Sequence, residues 1–248
     1  MLNLEGYDQR VRGAVKCFWE SRERDGVRSG KTLDGFVDLL AWVVHNNGLP
    51  NARVVCGREA SVPGFFRPTK LWDVLILNEQ TLIAAIEMKS IADSFGKNSN
   101  NRAEEALGSG IDLREAFREN AIDGLTQLFT GYLILVENCQ ETQSNVQIQM
   151  KYFRAMPDFV AAQAIENFRY ERNADGVFQP VDGVSYMQRF CIMCRRLMQK
   201  ELYRSACVIS SPRTAITDGS YADVSHDTSI RAFLASLGGY VSAIAASS

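Results

Sequence analysis

Three charged side chains interrupt the most apolar stretch of the chain. Across residues 71–90, two runs rich in Val, Ile and Leu flank the polar break Asn78-Glu79-Gln80. That is the pattern of a buried β-hairpin. Asp73, Glu87 and Lys89 stand where such strands should carry no charge. Two carboxylates can hold a hard divalent cation such as magnesium, which prefers oxygen ligands and keeps several waters. An ammonium group beside the cation can orient or help deprotonate one of those waters, while the cation stabilises charge developing on a phosphoryl oxygen. These groups are equipped to hydrolyse a phosphodiester. Glu87-Met88-Lys89 is the only acid-x-Lys triplet in the chain. A structural ion pair at a strand end is the alternative, but unpaired charge in an apolar sheet is expensive and is kept where it is used.

The elements around these residues must bring them together. A turn centred near Glu79 gives antiparallel partners whose numbers sum to about 158–160, which puts Asp73 opposite residues 85–87. Strand side chains alternate, so Glu87 and Lys89 share a face. Directly opposed side chains lie roughly 5 Å apart. Helical spacing of apolar residues predicts helices over 8–24 and 33–45, the second carrying Asp34 and Asp38 one turn apart on one side. Strands are expected at 52–56, 130–137 and 206–210. A turn-rich connector at 61–68 leads into the hairpin and delivers Arg67 and Lys70, candidates for phosphate contact, just before Asp73. After the hairpin, Lys97, Asn98, Asn100, Asn101 and Arg102 form a polar loop opening a helix at about 102–119, and such side chains read base edges or hold phosphates. Gly108, Ser109 and Gly110 keep that helix slim for packing on the sheet. Residues 138–184 receive no assignment, 185–203 read as a helix, and the end of the chain reads as a short, fraying helix.

The same stretches resemble a known family. Arg67-Pro68-Thr69-Lys70-Leu71-Trp72-Asp73-Val74-Leu75, Glu87-Met88-Lys89-Ser90, Ser94-Phe95-Gly96-Lys97-Asn98 and Asn100-Asn101-Arg102-Ala103-Glu104-Glu105-Ala106 are similar to XhoI-type restriction endonucleases, as are Tyr132-Leu133-Ile134-Leu135-Val136-Glu137 and Cys194-Arg195-Arg196-Leu197. The likeness runs over most of the chain. It implies a PD-(D/E)xK nuclease, an α/β fold with a central mixed sheet flanked by helices. It also implies magnesium-dependent cleavage of double-stranded DNA by a homodimer at CTCGAG, with 5′ overhangs. Matched residue by residue, the active site falls on Asp73, Glu87 and Lys89. Trp72 precedes Asp73 where the motif has proline. Metal ligands are then Asp73, Glu87 and the Met88 backbone carbonyl, with Asp38 as a further candidate because such nucleases often carry an acid on the first core helix. The expected organisation is one endonuclease domain over 1–248, with a nuclease core at about 33–137 and a helical and mixed extension at 138–248. A cognate methyltransferase would protect the host's own sites.

Composition narrows the alternatives. The formal net charge of −2 over 248 residues provides no global basic field, so DNA contact must rest on local clusters of Lys and Arg. No run of about 18 apolar residues is expected to span a membrane, and the N-terminus lacks a signal peptide. Six scattered cysteines fit free thiols in a reducing bacterial or archaeal cytoplasm. Cys191-Ile192-Met193-Cys194 lacks the second pair a zinc site needs. Residues 25–32, Asp-Gly-Val-Arg-Ser-Gly-Lys-Thr, approach a phosphate-binding loop but have Asp25 at its first glycine. Two histidines, His45 and His226, form no triad or metal spacing. A repair or recombination nuclease using the same three residues, and a non-catalytic DNA-binding module, are the competing readings.

Overall fold

Alternation along one strand sorts the molecule into two layers. Residues 81–91 place Ala85, Glu87, Lys89 and Ile91 on one face and Ala84, Ile86 and Met88 on the other, and helices cover both. The computed structural model describes residues 2–25, 32–122, 127–161 and 172–247. Two helices lead, α1 (Tyr7–Asp25) and α2 (Asp34–Asn46). Then come β1 (Arg53–Cys56), the short β2 (Ser61–Pro63) and β3 (Thr69–Leu71), and the hairpin β4 (Val74–Asn78) and β5 (Thr81–Ile91). The helix α3 (Phe95–Arg118) crosses to β6 (Phe129–Glu137). Beyond it lie α4 (Gln140–Gln143), β7 (Asn145–Ile148), β8 (Val181–Ser185), α5 (Tyr186–Gln199), β9 (Ser205–Ser211), β10 (Ala222–Asp223) and α6 (Ile230–Ser247).

Six strands hydrogen-bond in the order β1-β4-β5-β6-β9-β10. β1, β4 and β5 are antiparallel, β5, β6 and β9 are parallel, and β10 closes the far edge antiparallel to β9. The sheet is therefore mixed, as expected. It draws strands from both sides of residue 137. One face carries α1, α2 and α6 around Phe18, Phe36, Leu40, Ile86 and Phe233; the other carries α3 and α5 around Trp72, Tyr132, Leu113 and Phe190.

Several expectations are corrected. α3 starts at Phe95, seven residues before position 102, so Lys97, Asn98, Asn100 and Asn101 are helical. Asn and Ser are modest helix formers, but Phe95 and Ser99 are buried beneath this turn, and tertiary packing overrides propensity. The connector is partly ordered as well, since β2 pairs antiparallel with β3. In the unassigned region, β7 pairs with β8. α6 is long and apolar enough to cross a membrane by length and composition, contrary to the expectation that no such run exists. Its Ile230, Phe233, Leu234, Leu237 and Val241 lie at helical spacing and are fully buried against the sheet, so it is a core helix rather than a fraying tail. The phosphate-loop-like segment lies largely outside the described residues. All six cysteines are free thiols.

The slim middle of α3 has a measurable consequence. A Cβ on Gly110 would stand 2.9 Å from Cε2 of Tyr203 and 3.1 Å from Cβ of Leu202. Gly110→Val should therefore overpack this seam and lower stability by about 1–3 kcal/mol. Urea unfolding followed by circular dichroism would measure the loss.

Candidate active site

Register does most of the assembly. In the β4–β5 hairpin Val74 faces Ile86, Leu75 faces Ala85 and Ile76 faces Ala84. Glu79 reverses the chain at φ +54°. Continuing the register by one residue brings Asp73 opposite Glu87, as the turn position predicted. Asp73 Oδ2 accepts hydrogen bonds from the Met88 amide at 2.8 Å and from Lys89 Nζ at 2.9 Å. Lys89 Nζ also lies 2.6 Å from Glu87 Oε1. The three residues thus converge.

A fourth residue completes the cluster. Lys70 Nζ donates to Glu87 Oε2 at 3.1 Å, so both carboxylate oxygens of Glu87 face an ammonium group. Glu87 is 4% exposed, Lys70 13% and Lys89 17%, whereas Asp73 is open at 38%. Two carboxylates and two ammonium groups balance formally. Lys70 belongs to β3 and stands 5.3 Å from the ring of Trp72, a cation–π contact. Burial alone would pull the Lys89 ammonium down. The charges of Glu87 and Asp73 and hydrogen bonds to both overcome that, and its pKa lies above the ordinary lysine value. As the structure stands, Lys89 is an ammonium group that donates to both carboxylates.

The floor beneath is aromatic. Tyr132 is the β6 neighbour of Glu87, and burial first, with nearby Cys194 and Tyr203, holds its phenol protonated well above the usual range. Tyr132 Oη, Trp72 Nε1 and Arg102 Nε are buried and have no hydrogen-bond partner among the described residues. Neither Lys70 as the partner of Glu87 nor Tyr132 was anticipated. The alternation Lys70-x-Trp72 was the available signal for the first.

The donor set suits a hard divalent cation: two oxygen-bearing side chains meet, and the two ammonium groups on Glu87 mark the spot as one that favours positive charge. Asp38 is not gathered in. Among the described residues no three His, Cys, Asp or Glu side chains cluster as a metal-binding group. Asp38 and Asp34 nonetheless reach this end of the sheet electrostatically. Burial, then the charges of Asp34, Asp73 and Asp38, raises the Cys56 thiol, and Cys56 pairs with Val74 next to Asp73.

Comparison with known proteins bears on what this geometry serves. The family model described as restriction endonuclease XhoI matches residues 18–172 and 161–223. The chain belongs to the XhoI family of restriction endonucleases. It is 38% identical over 216 residues to the type II restriction enzyme XhoI of Xanthomonas vasicola, covering 80% of this chain and 78% of that one. It is 34% identical over 224 residues to BstVI of Geobacillus stearothermophilus, covering 88% and 90%, and 38% identical over 170 residues to AbrI of Azospirillum brasilense, covering 62% and 77%. No solved structure matches. The protein is accordingly a type II restriction enzyme, a site-specific deoxyribonuclease that binds DNA.

Within this member of the XhoI family the expected DNA-contacting residues separate. Arg67, Lys70 and Arg102 line one open cleft of about 520 Å³ with Glu87 and Lys89, and Glu104 and Glu105 line it as well. Asn100 lines a different, more apolar cleft with Met150, Met156 and Phe190. Asn98 donates to the Asp93 carbonyl at 3.2 Å, while Lys97 and Asn101 are exposed on the first turns of α3. Arg67 is already engaged, with Nε 2.7 Å from the buried Asp112.

Proposed function

We propose that this enzyme hydrolyses double-stranded DNA with magnesium at the palindrome CTCGAG, leaving 5′ overhangs, 5′-phosphates and 3′-hydroxyls. The observation that carries the chemistry is the convergence of Asp73 and Glu87 on Lys89, at 2.9 and 2.6 Å, with Glu87 and Lys89 lining a cleft together with Arg67, Lys70 and Arg102. The fold reading is a PD-(D/E)xK core, supported by the hairpin that carries Asp73 and Glu-x-Lys and by its crossover to β6. Residues 1–248 act as one endonuclease domain, since the sheet draws on both halves of the chain.

Asp73, Glu87 and the Met88 carbonyl would hold magnesium; Asp38 is a more distant candidate. Bound there, the cation would supply acidified water and stabilise charge on the phosphoryl oxygens. Lys89 orients the attacking water through its ammonium group and donates to oxygen at the reacting phosphate. Arg67, Lys70 and Arg102 hold the phosphate backbone, and Lys97, Asn98, Asn100 and Asn101 are reserved for flanking contacts. A palindromic site requires two active sites related by a two-fold axis, hence a homodimer. A methyltransferase acting on the same sequence protects the host DNA in the cytoplasm. Identity of 38% to XhoI supports the hexanucleotide. Digestion of a plasmid with one CTCGAG site, with magnesium or with chelator, tests the reading. One linear product with 5′ overhangs is expected only with magnesium; discrete cuts at another sequence would reject the hexanucleotide, and metal-independent cutting would reject the cofactor.

A further inference from the structure

A buried carboxylate on α3 is devoted to holding two phenylalanines in water. Asp112 is fully buried, yet its oxygens reach outward to the loop joining β2 and β3. Oδ1 accepts from the amides of Phe65 and Phe66 at 2.9 and 2.8 Å, and Oδ2 accepts from Arg67 Nε at 2.7 Å. The loop is tight, since a Cβ on Gly64 would come within 2.6 Å of the Arg67 carbonyl oxygen and 2.9 Å of Asp112 Oδ2. The rings it presents are 50% and 69% exposed and meet edge to face at 4.8 Å. Two contiguous exposed rings on a backbone fixed by a buried carboxylate make an apolar contact surface.

Position identifies the partner of that surface. The loop is the tip of a hairpin whose second strand, β3, carries Lys70 and runs through Trp72 into Asp73. Arg67, adjacent to Phe66, lines the cleft that holds Glu87 and Lys89. Phe65 and Phe66 immediately precede Arg67, which lines that cleft, so a duplex whose phosphate sat at Asp73 and Glu87 would approach this tip, and the cationic Arg67 and Lys70 suit its backbone. We propose that Phe65 and Phe66 form a preset aromatic wedge that enters the duplex at a base step beside the scissile phosphate, unstacking it. Such wedges offset the cost of unstacking with surface gained on the bent duplex. Asp112 is the positioning residue that keeps the wedge from folding back. The inference rests on the proposed reading that phosphodiester cleavage takes place in this cleft.

The test uses the full chain and the double variant F65S/F66S, whose changes lie at exposed positions. The probe is a CTCGAG duplex first verified as cut by wild type, or, if it is not cut, a duplex centred on the sequence mapped from the ends of digested genomic DNA. Adenine positions in and beside the site are replaced singly with 2-aminopurine, which brightens on unstacking. Binding is measured in chelator. Wild type should brighten one position; the variant should lose that signal and bind at least tenfold more weakly, with an unchanged slope of affinity against salt because no phosphate contact is lost. Equal binding and brightening by both proteins would overturn the wedge. So would a fall in dimer mass for the variant in sedimentation without DNA, which would assign the rings to a second copy of the chain. Failure to cut any DNA would strike at the functional reading instead, and that step is scored first.

Discussion

Lys89→Ala is expected to lower the rate of strand cleavage by about 10²–10³-fold, the range for loss of one preset donor to developing charge, while leaving duplex binding within a fewfold of wild type. Among the described residues, Lys89 is the one side chain that pairs with both Asp73 and Glu87, at 2.9 and 2.6 Å. Its loss removes the donor that would hold water against the phosphate, but leaves Arg67, Lys70 and Arg102 in the cleft. Lys89→Arg should rescue little, because a planar guanidinium cannot take the place of a compact ammonium between two carboxylates. The pH dependence of stability is a second readout. The Lys89 pKa is raised in the folded protein, so its contribution is fully present below the unfolded lysine value of about 10.4 and is lost as pH rises through the higher folded value. Wild type should lose that increment at alkaline pH, and the alanine variant should not. Single-turnover cleavage, gel-shift titration and denaturation across pH measure the three effects. Cleavage at the wild-type rate would remove Lys89 from the chemistry.

What could be read in advance follows the range of the forces involved. The hairpin was legible because period-two apolar runs and the Asn78-Glu79-Gln80 break act locally, and its register then follows by counting. The convergence of Asp73, Glu87 and Lys89 is the direct product of that register. Helix existence was equally local, and α1 and α2 begin and end within a residue of their expected bounds. The first turns of α3 were not legible, because burial of Phe95 and Ser99 under distant elements outweighs the reluctance of an Asn-rich segment. Nor was Lys70 as the partner of Glu87. β3 is three residues long and its place against β5 depends on the pairing of Val62 with Lys70 in a separate small sheet. The role of α6 is hidden from the sequence for a related reason. Small residues and serines near its end suggested fraying, while Phe233, Leu234 and Leu237 meet partners on strands far away in sequence.

The fourfold charge arrangement leads to the other large effect, a thermodynamic cycle between Glu87 and Lys70. Glu87→Gln keeps the shape but removes the carboxylate that both ammonium groups face, leaving Lys89 with Asp73 and Lys70 without an ion-pair partner among the described residues. Removing one partner of a buried pair typically costs about 3–5 kcal/mol, and a loss at the lower end is expected because both lysines retain some water. Lys70→Met should cost less, since Lys89 still faces Glu87 at 2.6 Å and a methionine can pack on Trp72. The double variant should be more stable than the sum of the singles predicts, by about 1–3 kcal/mol, the size of coupling found between contacting groups. Metal affinity separates the two residues. On the proposed reading Lys70 would compete with a divalent cation for Glu87 Oε2, so Lys70→Met should bind manganese on the order of tenfold more tightly, whereas Glu87→Gln should bind it more weakly and lose cleavage. Denaturation in chelator together with calorimetric titration of manganese tests both arms. If Lys70→Met weakened metal binding, Lys70 would be holding Glu87 in its ligating position rather than standing in for the cation.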